Sequence, residues 1–148
     1  MEYLRDARRK IMQLEQRILS KRNKVAQLRG DAMRISTADM ARVKVSGGSL
    51  QRIEDRAEGY IDILADIAKL EKQWYELHNE VTQNIFACVD DLRFQDVLFQ
   101  RYVMVQPTLR DVGNALGYST HTIKIWHTRA LREFNLNFEE DLHAEESI

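Results

Sequence analysis

The sequence predicts an all-α protein in which a long antiparallel helical hairpin is followed by a small three-helix domain. Three observations predict this class. The 148 residues include one proline, apolar residues recur at helical spacing over two long stretches, and a glycine-containing segment separates those stretches. No apolar run is long enough to cross a membrane. The single cysteine allows neither an internal disulfide nor a cysteine pair for zinc, so we expect a soluble intracellular chain.

The first predicted helix covers residues 2–29, without glycine or proline inside it. Its apolar residues recur at spacings of three, four or seven, which is typical of a narrow coiled-coil seam. They are Leu4, Ile11, Leu14, Ile18, Val25 and Leu28. Nine basic residues stand against three acidic ones, so this helix has a net charge of +6.

The second predicted helix runs from about Leu50 to Val89, after a flexible loop expected over about residues 36–49. Its predicted seam is Leu50, Ile53, Ala57, Ile61, Leu64, Ala68, Trp74, Leu77, Val81, Ile85 and Cys88. From Ala57 to Asp91 two lysines stand against eight acidic residues, a net charge of −6. Because this charge is opposite to that of the first helix, we expect residues 1–91 to form an antiparallel coiled-coil hairpin.

Two features of this hairpin leave alternatives open. The basic side chains of the first helix either pair with the acidic helix or form a phosphate-contacting patch of Arg5, Arg8, Arg9 and Lys10. Large apolar residues beside the predicted seam favour self-association, most simply a dimer. They are Tyr60, Ile67, Leu70 and Tyr75.

A third helix is predicted over residues 92–106, and it completes a domain over 92–135 with two further helices. Its expected inner face is Phe94, Val97, Leu98, Tyr102 and Val105. The segment 92–134 has six basic and three acidic residues, a net charge of +3 that suits a nucleic-acid partner. The remaining residues, 136–148, contain five acids and no Lys or Arg, so we expect a solvated acidic tail.

The spacing of small residues after Pro107 predicts a helix-turn-helix. Thr108 and Asp111 form a capping-box-like pair at the start of the first helix. Gly113 allows the two helices to cross closely, and Gly117 ends the first helix because it tolerates positive φ. Ser119 or Thr120 then caps a second helix.

The second of these helices is expected to present a polar outer face opposite Ile123, Trp126, Ala130 and Phe134. That face combines small hydrogen-bonding side chains with positive charge, which suits base edges and phosphates. It consists of His121, Thr122, Lys124, Ile125, Thr128, Arg129 and Arg132. A helical hairpin without a nucleic-acid role is the alternative.

This segment resembles region 4 of bacterial sigma-70-type factors. The resemblance covers Arg101-Tyr102, then Leu109 to Gly113, then Ala115 to Ser119, and a final helix closing with Arg129-Ala130-Leu131. With its long N-terminal helices, the chain is similar to phage late-gene regulators of the ArpU/RinA type. The resemblance implies that these residues read DNA: Ser119, Thr120, His121, Thr122, Lys124, Ile125, Thr128 and Arg129. Pro107-Thr108 departs from the aromatic residue common before this helix, and sigma region 2 is missing.

We therefore expect a sequence-specific regulator of transcription, a phage late-gene activator in the cytoplasm of a bacterial host. Its partners would be double-stranded DNA, RNA polymerase and a second copy of the chain. Two other classes fit the same features: a protein-interaction module, such as an antirepressor or polymerase-binding inhibitor, and a small-terminase-like DNA-packaging protein. The four histidines and Cys88 lack metal-ligand spacing, and no nucleophile or phosphate-loop motif is present. We expect no enzyme and no cofactor.

Overall fold

The computed structural model describes residues 2–39 and 48–146, and the described chain is all-helical, as the sequence predicts. Its elements are α1 (Glu2–Asp39), α2 (Gly48–Cys88), α3 (Leu92–Leu98), a π-helical turn (Phe99–Val103), α4 (Leu109–Leu116) and α5 (Thr120–Glu146). None of these ranges contains a strand. No described helix has an apolar stretch long enough to span a bilayer.

The chain divides into two compact units. One comprises Leu14–Trp74, and the other combines Met1–Gln13 with Tyr75–Ile148. This division differs from the predicted boundary at residue 91. The reason is that the first turns of α1 contribute Leu4 and Ala7 to a core that also contains residues of the C-terminal helices.

In the unit Leu14–Trp74, α1 and α2 run in opposite directions. The indole nitrogen of Trp74 donates to Glu15 at 3.1 Å, and farther along α1 the Arg29 guanidinium donates to the Tyr60 hydroxyl at 2.8 Å. Two exposed ion pairs lie between these contacts, Lys21 with Asp66 and Arg22 with Glu71. The pairing of basic α1 with acidic α2 is thus seen here, although exposed pairs contribute only about 0.2–1 kcal/mol each.

The apolar seam of α1 follows the predicted positions, with Ile18 and Val25 buried. In α2 the predicted seam is wrong from Ala57 to Ala68, where its residues are exposed. The side chains of Leu50 and Ile53 lie outside the described part of the chain. Ile61 and Leu64 are 63% and 41% exposed, whereas Ile67 is buried. The predicted seam has a spacing of six between Ala68 and Trp74 instead of three, four or seven, which places its residues before Trp74 on the solvent side.

The residues predicted to favour self-association are mostly covered in this unit. Tyr60 and Leu70 are half-buried and Ile67 is buried, so these residues serve the unit itself. Among the described side chains of this unit, the large apolar ones left exposed are Leu19, Ile61 and Leu64.

The predicted loop over residues 36–49 is wrong at both ends. Helix α1 continues to Asp39, and α2 begins at Gly48; residues 40–47 lie outside the described part of the chain. The stretch after Gly30 contains no proline, and one glycine inside a helix costs only about 1 kcal/mol relative to alanine. Helix α1 can therefore pass this position.

The other unit has one large core where α2, the first turns of α1 and the C-terminal helices meet. Its fully buried side chains include Val81, Ile85, Leu98, Val103 and Phe134.

The predicted acidic tail is wrong as a separate segment, because residues 136–146 continue α5. Phe138 stacks on Tyr3 with ring centroids 4.6 Å apart, and Asn137 Nδ2 donates to the carbonyl oxygen of Cys88 at 2.7 Å. That carbonyl belongs to the last turn of α2, where carbonyls lack helical partners. The apolar face of α5 thus extends past Phe134 to Phe138, and the acidic residues that follow continue the same helix.

The third predicted helix is also shorter than expected. Helical structure ends at Val103, and Val105 lies at φ 53°, a region that β-branched residues rarely adopt. Val97, Leu98 and Tyr102 are buried as predicted, but Phe94 is half-buried and Val105 is not on a helix. The π-helical turn adds one residue to the helical register, so Tyr102 and Val103 are both buried.

Candidate nucleic-acid interface

Two local features of the sequence position α4: a cap at its first turn and a glycine at its contact with the turn before α5. The Thr108 hydroxyl accepts a hydrogen bond from the Asp111 amide at 3.2 Å and donates to the Asp111 carboxylate at 2.7 Å. Gly113 is buried, and a β-carbon there would lie 2.6 Å from the carbonyl oxygen of Tyr118. Only glycine permits this approach, so α4 packs directly against the backbone of the turn that leads into α5.

The turn between these helices is fixed at both ends. Gly117 has φ 81° and ψ 29°, and its amide donates to Gly113 O at 2.8 Å. This left-handed conformation closes α4 in the way that glycine favours. Ser119 precedes α5, and its hydroxyl accepts from the Thr122 amide at 3.2 Å. Ser119 is therefore the N-cap of α5.

A small core holds the two helices against α3. Val97, Val112 and Ile123 are fully buried, and Leu109, Leu116 and Trp126 pack around them. This packing orients α5 so that the residues opposite Ile123 lie on the surface.

Six of the nine predicted site residues lie together on that surface. They line one shallow, open groove: His121, Lys124, Ile125, Thr128, Arg129 and Arg132. Residues 119–132 contain no Asp or Glu, so the groove carries cationic and neutral side chains only. Ile125 is 39% exposed, an apolar side chain in the middle of a charged face.

The other three predicted site residues do not line the groove. The Ser119 and Thr122 hydroxyls lie 2.9 Å apart and hydrogen-bond to each other, and Thr120 is half-buried. Inside the groove, the Thr128 hydroxyl donates to the carbonyl oxygen of Lys124 at 3.0 Å. The hydroxyls of Ser119 and Thr122 thus stabilise the start of α5.

One edge of this face is closed by an aromatic contact. Tyr118 meets Trp126 edge to face at a centroid distance of 4.7 Å. The Arg93 guanidinium lies 5.2 Å from the Trp126 ring centroid and is paired with the Asp91 carboxylate at 2.9 Å. The positive charge at this edge is therefore compensated within the protein.

The other edge contains a partly buried hydrogen bond. Tyr102 Oη and His127 Nε2 are 2.8 Å apart, and the two rings stack at a centroid distance of 5.7 Å. Burial lowers the pKa of His127 from its ordinary value of 6.5, and the charges of Arg101 and Arg5 lower it further. His127 is consequently neutral at pH 7.

Arginines beside His127 belong to parts of the chain that the sequence analysis did not connect with α5. Arg8 Nε donates to the carbonyl oxygen of Arg101 at 3.1 Å, and the guanidinium of Arg101 donates to Gln106 O at 2.6 Å. The basic residues of α1 predict a patch of positive charge. Which helix lies next to that patch depends on tertiary packing, and the sequence does not specify it.

The cysteine and the potential metal ligands were the other candidates for chemistry in the sequence. Cys88 is buried, as expected from its place in the seam. Burial raises the pKa of its thiol to about 11, with a further contribution from Asp141. Within residues 2–39 and 48–146, no group of three or more His, Cys, Asp or Glu could hold a metal ion.

Comparison with family models, characterised proteins and solved structures gave no match for this chain. The geometry of α4 and α5 and the resemblance of the sequence to sigma-70 region 4 are therefore the features that bear on function.

Proposed function

We propose that this protein is a DNA-binding regulator of transcription that reads duplex DNA with the outer face of α5. The observation that carries the proposal is the acid-free groove on that helix, lined by His121, Lys124, Ile125 and their neighbours. A helix with its side chains is about 10–12 Å wide, which fits a major groove of about 12 Å.

The close crossing at Gly113 supports the same proposal. In helix-turn-helix proteins the second helix enters the major groove with its N-terminal residues against the bases, and the first helix crosses the backbone. Here Gly113 of α4 packs against the backbone of the turn before α5 and near the Ile123 side chain, which fixes where α5 begins. Exposed Arg110 in the first turn of α4 has the reach for a phosphate.

Within the groove the side chains suit two roles. His121 and Ile125 would meet base edges, with the Ile125 side chain against a thymine methyl group. Lys124, Arg129 and Arg132 would contact phosphates on either side of the helix.

The finer assignment follows from the sigma-70 resemblance alone. On that basis we propose a phage late-gene activator that works with RNA polymerase in the cytoplasm of a bacterial host. Self-association would use the exposed apolar residues Leu19, Ile61 and Leu64.

The test is selection of bound duplexes from a random DNA pool, followed by affinity measurements at several salt concentrations. A sequence-specific regulator should recover one motif and bind it at least about 10³-fold more tightly than random duplex. Recovery of no motif, together with salt-independent retention, would favour the protein-interaction module. Recovery of a motif near a promoter, tested with host polymerase and a reporter, would separate a regulator from a DNA-packaging protein.

A further inference from the structure

Three arginines from distant parts of the sequence meet beside α5. Arg8 reaches from α1 and donates to Arg101 O at 3.1 Å and to Gln106 O at 3.2 Å. Arg101 donates to the same Gln106 oxygen at 2.6 Å. Arg5 lies one turn before Arg8 and so on the same side of α1, and its positive charge contributes to the lowered pKa of His127.

This cluster of Arg5, Arg8 and Arg101 has no acidic counterpart in the described ranges. The nearby acid on α1, Asp6, instead pairs with Arg9 at 3.6 Å. Burial lowers the pKa of Arg8, and the charge of Arg101 lowers it further. Like charges gathered without an anion repel one another, and an external anion would relieve that repulsion.

The position of the cluster relative to α5 follows from helical geometry. At 100° per residue, Lys124 and Thr128 lie on the side of α5 next to His127. Because the charges of Arg5 and Arg101 act on His127, we infer that the cluster lies on the Lys124 side of the groove. On the opposite side of the groove lies Arg93, whose charge is already paired with Asp91.

We propose that Arg5, Arg8 and Arg101 bind the phosphate backbone of duplex DNA next to the phosphate contact of Lys124. This inference rests on the proposed function, since it requires α5 to lie in the major groove. The guanidinium fork matches a phosphate group in geometry and charge. The first turns of α1 thereby become part of the DNA-binding surface, which would extend from the recognition helix onto the N-terminal helix.

A purely structural role is a real alternative for two of the three arginines. Arg8 and Arg101 hold the carbonyl of Gln106, directly after Val105 at φ 53°. They could serve only to stabilise that turn. Arg5 is exposed and forms no hydrogen bond or ion pair within the part of the chain that the structure describes. Substitution of Arg5 therefore tests phosphate binding without disturbing the turn.

The experiment measures binding to a random-sequence DNA duplex by fluorescence anisotropy over a series of salt concentrations. Arg5→Gln should lower the magnitude of the salt slope by about 0.9, which corresponds to roughly eightfold weaker binding at 0.1 M salt. Arg5→Lys keeps the charge and should keep the slope. The matched control is Arg17→Gln, which removes the same charge from an exposed position about three turns farther along α1 and should leave the slope unchanged.

The inference is overturned if Arg5→Gln and Arg17→Gln give the same slope. Lys124→Ala separates this result from failure of the proposed function. If Lys124→Ala lowers the slope and Arg5→Gln does not, α5 binds DNA and the arginine cluster does not. If neither substitution changes binding, or the parent protein does not bind the duplex at low salt, the proposed function fails as well. Equal melting temperatures of the Arg5 variants would show that a slope change is not a folding defect.

Discussion

The carbonyl oxygen of Tyr118 occupies the space that a side chain on Gly113 would need. A β-carbon at Gly113 would lie 2.6 Å from that oxygen and 3.4 Å from Ile123 Cγ1. Because the nearer atom is backbone, it cannot move without shifting the start of α5. The absence of a side chain at Gly113 therefore allows the turn before α5 to pack directly against α4.

Gly113→Ala should accordingly destabilise the protein. Overpacking in a tight core costs about 1–3 kcal/mol, which exceeds the helix-propensity gain of about 1 kcal/mol. Urea unfolding followed by circular dichroism measures the change. The matched control is Gly59→Ala in α2, where a β-carbon meets nothing within 4 Å and where we expect a small stabilisation. If Gly113→Ala left the free energy of unfolding unchanged, the close contact of Gly113 with the Tyr118 carbonyl would be contradicted.

The turn between α4 and α5 could be predicted because its determinants are local. The pairing of Thr108 with Asp111, the positive φ of Gly117 and the cap at Ser119 all involve residues within a few positions of one another. The same holds for Gly113, whose role follows from its spacing to Gly117. Residue type and spacing are sufficient where the interacting groups are neighbours in sequence.

The seam of α2 was partly mispredicted although the correct pattern is present in the sequence. Counting back from Trp74 in alternating steps of four and three leads to Leu70, Ile67, Ile63 and Tyr60, which are buried or half-buried. A spacing of six, as between Ala68 and Trp74, does not occur in a heptad seam. It excludes the seam that runs through Ile61, Leu64 and Ala68.

The extent of α5 and the arginine cluster could not be read in the same way. Acidic composition suggested a tail after Asn135, but Phe138 finds a partner in Tyr3, more than 130 residues earlier. Arg5 and Arg101 are brought to His127 by the same long-range packing. These features depend on which helices meet, and charge or periodicity within one helix does not specify that.

Phe138→Ala tests the helical extension of α5. The ring stacks on Tyr3 at 4.6 Å and on Phe134 at 5.2 Å, so its removal should cost on the order of 2 kcal/mol, less than for a fully buried phenylalanine. Leu136→Ala is the control, because Leu136 is 58% exposed and should change stability by less than about 0.5 kcal/mol. Equal effects in thermal unfolding would mean that residues after Asn135 do not pack.

The buried pair of Tyr102 and His127 predicts a pH dependence of stability. Because the pKa of His127 is lowered in the folded state, the unfolded chain binds a proton more readily below its ordinary pKa of about 6.5. The contribution of neutral His127 is complete above that pH and is lost as pH falls toward the folded-state pKa. His127→Phe keeps an aromatic ring but cannot titrate. Urea unfolding between pH 7 and 5 should therefore show a steeper loss for the parent, and identical slopes would refute the assignment.

The groove on α5 predicts two separable effects on DNA binding. Lys124→Ala removes a charge suited to phosphate, so it should weaken binding to every duplex and lower the salt slope by about 0.9. Ile125→Ala removes an apolar contact suited to a thymine methyl group, so it should cost about 1–3 kcal/mol on the selected site and little on scrambled DNA. The sequence alone gave Thr122 the same role as Ile125. Its hydroxyl, however, is bonded to Ser119, and Thr122→Ala should mainly loosen the start of α5.

Anisotropy titrations with selected and scrambled duplexes at several salt concentrations distinguish these effects. Lys69→Ala is the control for Lys124→Ala, since it removes one exposed lysine from α2 and should leave binding unchanged. Loss of a phosphate contact changes the salt slope of the affinity for both duplexes. Loss of a base contact changes only the ratio of the affinities for the selected and the scrambled duplex. If Lys124→Ala altered that ratio and Ile125→Ala altered the slope, the two residues would have exchanged roles and α5 would lie in the groove in a different orientation. If no α5 substitution affected DNA while one abolished binding to a protein partner, the interaction module would replace the regulator.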